Sequence, residues 1–473
     1  MTTTHPPVVI QGGMGIAVSS WRLAREVSLS GQLGVVSGTA LDGVLARVLQ
    51  DGDPGGHRRR AMADFPSPAM AQRVLDAYFI EGGREAGKPY RPHPTLTIAP
   101  SRPAIELSLL GNFTEVWLAK EGHSGVVGIN MLEKVQTANA SAILGAMLAD
   151  VDYVIMGAGV PREIPRLLTE FAAGRTGHLT IDVANATKTH RAALDPVTYL
   201  GADLPKLRRP QFLAIVSLHV LASYLNRDPE IRPDGFVVEG PRAGGHSAPP
   251  RGKMVLDDDG EPIYGPKDDA DLAKIAEIGL PFWLAGGYAS PEKVAEARAA
   301  GAAGVQIGTL FAMAEESGLK PSLRKRLVSQ LVAGTLVVHN DPRASPTGFP
   351  FKVAELTDTL SEESNYQARE RICDLGYLRS PAERPDGSIA YRCASEPVHM
   401  YQRKGGTEEE VVGRKCLCNA LMANIGLGQV RRSGYVEEPA VTLGQDLVGA
   451  EMLIAKYPDG WTARQAVDWL LSE

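Results

Sequence analysis

A chain of 473 residues exceeds one ordinary domain, and its 44% hydrophobic and 22% charged residues can build a sizeable core, which excludes a disordered protein. A formal net charge of −6 excludes an overall basic field for nucleic acid or an anionic membrane, and the run His57-Arg58-Arg59-Arg60 is too short to supply one. The opening MTTTHPPVVIQGG has neither the charged start nor the apolar stretch of a secretory signal, so a cytoplasmic protein is expected.

In chain order, VVIQGG reads as a strand, followed by a helix from about Trp21 to Ser30 behind Ser19-Ser20 and by a second strand, LGVVSG. Residues 51–110, rich in Gly, Pro and Arg, read as an insertion of helix and loop forming a lid over one mouth of the fold. Buried-strand candidates then recur in GVVGINM, DYVIMGAG, QFLAIVS and GFVVEG. The longest apolar run, FLAIVSLHVLASYL, has 14 residues and includes His219, which reads as a buried structural residue. It falls short of the roughly 20 residues a membrane span requires.

PFWLAGG starts another unit: Ser290 caps a helix opening with Pro291 and Glu292, Gly301 closes it, and GVQIGT follows as a strand. Eight such strands with helical patterns between them predict an α/β fold, a (β/α)8 barrel over residues 1–341. HLTIDVA is a ninth candidate, taken as an excursion between the fourth and fifth strands. An open doubly wound sheet is the rival, but QGGMGIAVSS does not match its G-x-G-x-x-G turn. From residue 342 to 473 the strand–helix rhythm stops, and a mostly helical accessory region ending in WTARQAVDWLL is expected.

In such a barrel the loops after the strands form the active mouth. Here they carry Gly12-Gly13, Gly244-Gly245, Gly286-Gly287 and Gly308-Thr309. Glycine lets main-chain amides approach a ligand, and consecutive amides hold an anion. The residues alone therefore predict a phosphorylated ligand across the mouth, beside the single imidazole of His246. With an unperturbed pKa of about 6.5, that side chain suits proton exchange. The glycines alone do not identify which phosphorylated ligand.

QGGMG, GINM, EGPRAGGH, LAGG and GVQIGT, in this order, resemble the nitronate monooxygenase family of FMN-dependent barrels (formerly 2-nitropropane dioxygenases), which includes flavin-dependent enoyl-acyl carrier protein reductases. INMLEK, APPRG and GRKCLCN resemble the enoyl reductases associated with polyketide and polyunsaturated fatty acid synthases. The resemblance implies that Gly12, Gly13, Met14 and Asn130 meet the flavin ring. It implies that Gly245, Gly286, Gly287, Gly308 and Thr309 hold its phosphate, with Gly244, Ala285 and Gln306 near the cofactor. His246 matches the family's catalytic, proton-handling histidine. The expected activity is NAD(P)H-dependent reduction of an enoyl thioester, free or carried by an acyl carrier protein or synthase. The alternatives are oxidation of a nitronate by FMN and O2, and a flavin-binding partner subunit without turnover. Nitronate oxidases of the family commonly carry a glutamate before the glycine pair, whereas here Pro241-Arg242-Ala243 intervene after Glu239-Gly240 and Pro249-Pro250-Arg251 follow. Arg242 and Arg251 are candidates to face an anionic substrate, or else solvated loop residues.

All four cysteines, Cys373, Cys393, Cys416 and Cys418, fall in the tail. Their spacing fits neither a paired zinc ribbon nor a ferredoxin run. Four thiolates could nonetheless hold zinc or an iron–sulfur cluster, with His399 in reserve, and separate buried thiols are the alternative.

Overall fold

The computed structural model describes residues 6–202 and 204–472. Eight parallel strands form one sheet: Val9–Gln11, Gly34–Ser37, Val127–Leu132, Tyr153–Gly157, Gln211–Val216, Gly235–Glu239, Phe282–Ala285 and Gly304–Ile307, the first to eighth below. From the second to the eighth each pairs with its neighbour in this series, and the eighth pairs with the first. A parallel bridge between Ile10 and Leu33, with Gln11 N donating to Leu33 O at 3.0 Å, joins the first strand to the second. The sheet is thus a (β/α)8 barrel with no reversal of strand order, and the open doubly wound alternative falls away.

The interior is packed by Ile10, Val35, Ile155, Leu213, Val237 and Trp283. They are alternate inward-facing residues of their strands, as strand geometry requires. HLTIDVA is indeed an excursion: Gly177–Ile181 pairs antiparallel with His190–Leu194, outside the barrel. The apolar run of residues 212–225 divides into the fifth strand and a helix, His219–Asn226. His219 is half-buried there, and its Nδ1 accepts from Asp271 N. Among the described residues, no helix is long and apolar enough to cross a membrane.

The expected helix starts appear where hydroxyls can cap them. Ser20 accepts from Leu23 N ahead of Trp21–Leu29, and Ser290 from Lys293 N ahead of Pro291–Ala299. Thr462 and Gln465 form a reciprocal capping box on the last helix, Ala463–Leu470.

Two expectations about the surrounding regions need correction. The tail is not mostly helical: long irregular stretches separate its short helices, Ser380–Glu383 forms an antiparallel hairpin with Ile389–Arg392, and Phe351–Ala354 pairs antiparallel with Val338–Asp341 just ahead of the tail. The stretch at 51–110 is not the lid: none of its residues lines the large cavity at the mouth, which is covered instead by side chains between Phe351 and Asp446. The insertion supports that cover from outside. Tyr90 N donates to Gln429 Oε1 at 2.7 Å, Ile98 N donates to the Tyr391 hydroxyl at 2.9 Å, and the His93 ring lies against Tyr377. Its polar, glycine-rich composition suits an outer layer better than an apolar cavity wall.

Candidate functional site

The C-terminal ends of the strands open into a cavity of about 240 Å³. The structure brings every expected mouth residue to it: Gly12, Gly13, Met14, Asn130, Gly244, Gly245, His246, Ala285, Gly286, Gly287, Gln306, Gly308 and Thr309.

The backbone comes close here because side chains are missing. A Cβ on Gly13 would stand 2.2 Å from the Asn130 Cβ, so Asn130 sits directly against the first-strand loop and its Nδ2 donates to Gly13 O at 3.2 Å. That bond uses the amide's donor end, and Asn130 Oδ1 is left buried without a partner, as is Gln306 Oε1. Unpaired buried acceptors are costly, and two on one cavity wall suit a ligand that offers hydrogen-bond donors. Gly286 and Gly287 adopt φ of +86° and +99°, conformations that favour glycine. Among the described residues, no acceptor engages the amides of Gly286, Gly287 or Gly308, so these donors remain for an anion. The Gly245 amide is committed, donating to Thr442 Oγ1 at 2.9 Å, and Thr309 Oγ1 accepts from Gly444 N at 2.9 Å.

His246 is fixed by the tail. Its loop pairs with the strand Phe351–Ala354, through Lys352 N to Gly245 O at 3.0 Å and Ser247 N to Pro350 O at 3.0 Å. The imidazole Nε2 is 2.6 Å from Ser345 Oγ, and its ring meets Phe351 edge-on at 4.9 Å. Among the described residues Nδ1 has no partner. Burial pushes the imidazole pKa down to about 4, so His246 is neutral at pH 7.

Sequence reasoning missed Glu239 as a site residue. It ends the sixth strand, lines the cavity, and is pushed up to about 7 by burial, partly offset by the Lys352 ammonium. The signal was the acid ending the apolar run VVEG. Phe351, Tyr377, Cys418 and Thr442 also line the cavity, and nothing in the sequence links them to the mouth. Of the two loop arginines, Arg242 stands at the cavity rim, 3.5 Å from Asp446. Arg251 lies off it, donating to Ser217 Oγ.

The cysteines do not assemble as expected of a metal centre. Among the described residues, no group of three or more His, Cys, Asp or Glu side chains is placed to hold a metal ion. Arg379 Nε donates to Cys373 Sγ at 3.3 Å, and the neighbouring Cys393 thiol and this guanidinium pull the Cys373 thiol down against its burial. Cys416 turns to Ile372 O, Cys418 faces the cavity with its thiol pushed up by burial, and His399 is exposed.

Residues 211–348 match the family model described as nitronate monooxygenase. A relative from Mycobacterium tuberculosis, (3aS,4S,5R,7aS)-5-hydroxy-7a-methyl-1-oxo-octahydro-1H-indene-4-carboxyl-CoA dehydrogenase, is 29% identical over 138 residues, 29% of this chain and 34% of that protein, so the match spans about a third of the relative. Among solved structures, FabK from Thermotoga maritima is 17% identical with a TM-score of 0.44, over 99% of this chain and 91% of that one. Nitroalkane oxidase from Streptomyces ansochromogenes is 15% identical with a TM-score of 0.46, over 98% and 95%. The matched segment runs from the fifth strand through the eighth and contains the His246 loop and the Gly286-Gly287 turn. Through residues 211–348 the chain is similar to the nitronate monooxygenase family.

Proposed function

We propose that the protein is an FMN-dependent oxidoreductase that reduces the activated double bond of an enoyl thioester with NAD(P)H. The observation that carries this reading is the pairing of a glycine-rimmed cavity, holding two unpartnered amide oxygens, with one neutral imidazole on its wall. Asn130 Oδ1 and Gln306 Oε1 offer acceptors to the N–H edge of a flavin ring, and the free amides of Gly286, Gly287 and Gly308 suit its phosphate. A bound flavin supplies hydride transfer. This chain's residues bind and orient, and His246, held through Nε2 by Ser345, directs Nδ1 chemistry at the proton that the reduced carbon must acquire. The thioester is favoured by INMLEK and APPRG, and by the relative that is named for a CoA thioester.

Freshly purified protein is expected to show a flavin absorption spectrum and to oxidise NADPH or NADH only when an enoyl thioester is present. Colourless protein that takes up no FMN overturns the cofactor. Flavin-loaded protein inert toward all enoyl thioesters overturns the reductase reading. The matched family description favours a second reading, oxidation of a nitronate by O2, in which His246 takes the proton; oxygen uptake with propionate 3-nitronate would select it. Gly13→Ala is expected to release most of the flavin, because its methyl group and Asn130 claim one space, and retention at wild-type levels by absorbance would contradict that.

A further inference from the structure

Glu239 stands between two spaces. It lines the large cavity together with His246, and it also lines a smaller outer pocket with Tyr264, Arg251 and Asp268. Behind it lies Lys352, wholly buried on the strand Phe351–Ala354. Lys352 Nζ donates to Ser247 Oγ at 3.1 Å, Ser247 Oγ is 3.4 Å from the Tyr264 hydroxyl, and Tyr264 donates to Ala248 O at 2.9 Å. A buried ammonium is costly without a compensating charge. The acids whose field Lys352 feels are Glu239 and Glu261, and Glu261 already faces His339 at 3.0 Å. Glu239, which has Lys352 as its charged neighbour, is the remaining counter-charge.

Reduction of a double bond by NAD(P)H takes up one proton from water in each turnover. The tail lines one side of the mouth, and a group that reaches both the cavity and the outer pocket offers that proton a route. We propose that Glu239 carries protons between the outer pocket and the reaction cavity, with Lys352 as the positioning residue that sets its charge. The proposal rests on the reductase reading. In each cycle the Glu239 carboxylate takes a proton from water in the outer pocket and gives it up on the cavity side, returning to its starting state. Burial supports the assignment: it brings Glu239 up to about 7 and Lys352 down to about 8, so one proton is exchangeable near neutrality, where His246 stays neutral.

The test is a carbon-13 NMR titration of protein labelled at the glutamate carboxyl carbons, alongside pH profiles of kcat. One carboxyl should titrate near neutral pH, vanish in Glu239→Gln, and move up by at least about one unit in Lys352→Met, with Lys352→Arg restoring it. Glu239→Gln should lower kcat at least about tenfold with little change in KM for the thioester, and the alkaline limb of kcat should move with the NMR midpoint in Lys352→Met. A Glu239 signal in the ordinary carboxylate range, or a Glu239→Gln enzyme with the wild-type kcat profile, overturns the proposal. If Lys352→Met does not fold, wild type and Glu239→Gln still decide it. The titration needs no substrate, so failure of the reductase reading shows as absent turnover with the neutral-range carboxyl still present.

Discussion

His246→Ala is expected to lower kcat by about 10²–10⁴-fold, equivalent to about 2.7–5.5 kcal/mol of barrier, with the flavin retained. The size follows from removing a positioned acid–base group. Retention follows because the free amides of Gly286, Gly287 and Gly308 and the Asn130 and Gln306 side chains come from other strands and loops. Ser345→Ala should reproduce part of the loss, since it frees Nε2 while leaving the imidazole in place. Steady-state kinetics with flavin content measured on the same sample checks both. Unchanged turnover in His246→Ala would instead favour a flavin-binding subunit without chemistry of its own.

Trp283→Ala should cost about 3–5 kcal/mol of stability, the range for truncating a large buried aromatic residue. Trp283 is 1% exposed, fills the barrel interior beside Ile10, Leu213 and Val237, and donates Nε1 to Pro7 O at 2.7 Å. Removing the indole opens a cavity in a space closed on all sides by hydrogen-bonded strands, which cannot collapse to fill it. Trp283→Phe retains most of the packing and loses the hydrogen bond, so it should cost less. Denaturant titrations of the two variants separate these contributions, and a Trp283→Ala protein within 1 kcal/mol of wild type, roughly the scale of a routine substitution, would show that the interior is not tightly packed.

The barrel was legible because its information is local. Branched apolar runs such as GFVVEG can be buried on both faces only as interior strands, and Ser20 and Ser290 cap helices with atoms a few residues away. The placement of the first-strand, sixth-strand, seventh-strand and eighth-strand glycines at the mouth was legible for the same reason, since a parallel barrel carries every strand end to one mouth whatever happens between them. What covers that mouth was not legible. Glycine-rich composition marked residues 51–110 as a loop region, but composition does not state which surface a loop rests on, and the cover is formed by residues more than two hundred positions further along.

The sequence by itself determined where the strands lie, the helix starts, the glycine mouth and the lone imidazole, because each depends on periodicity or on contacts within one turn of chain. Only the tertiary structure decided that Ser345 and Phe351 hold His246, that Lys352 stands behind Glu239, and that the four cysteines do not converge on a metal. Those relations join segments far apart in the chain, and burial, which sets the charge of Glu239 and His246, is a property of the packed assembly that no stretch of residues carries alone.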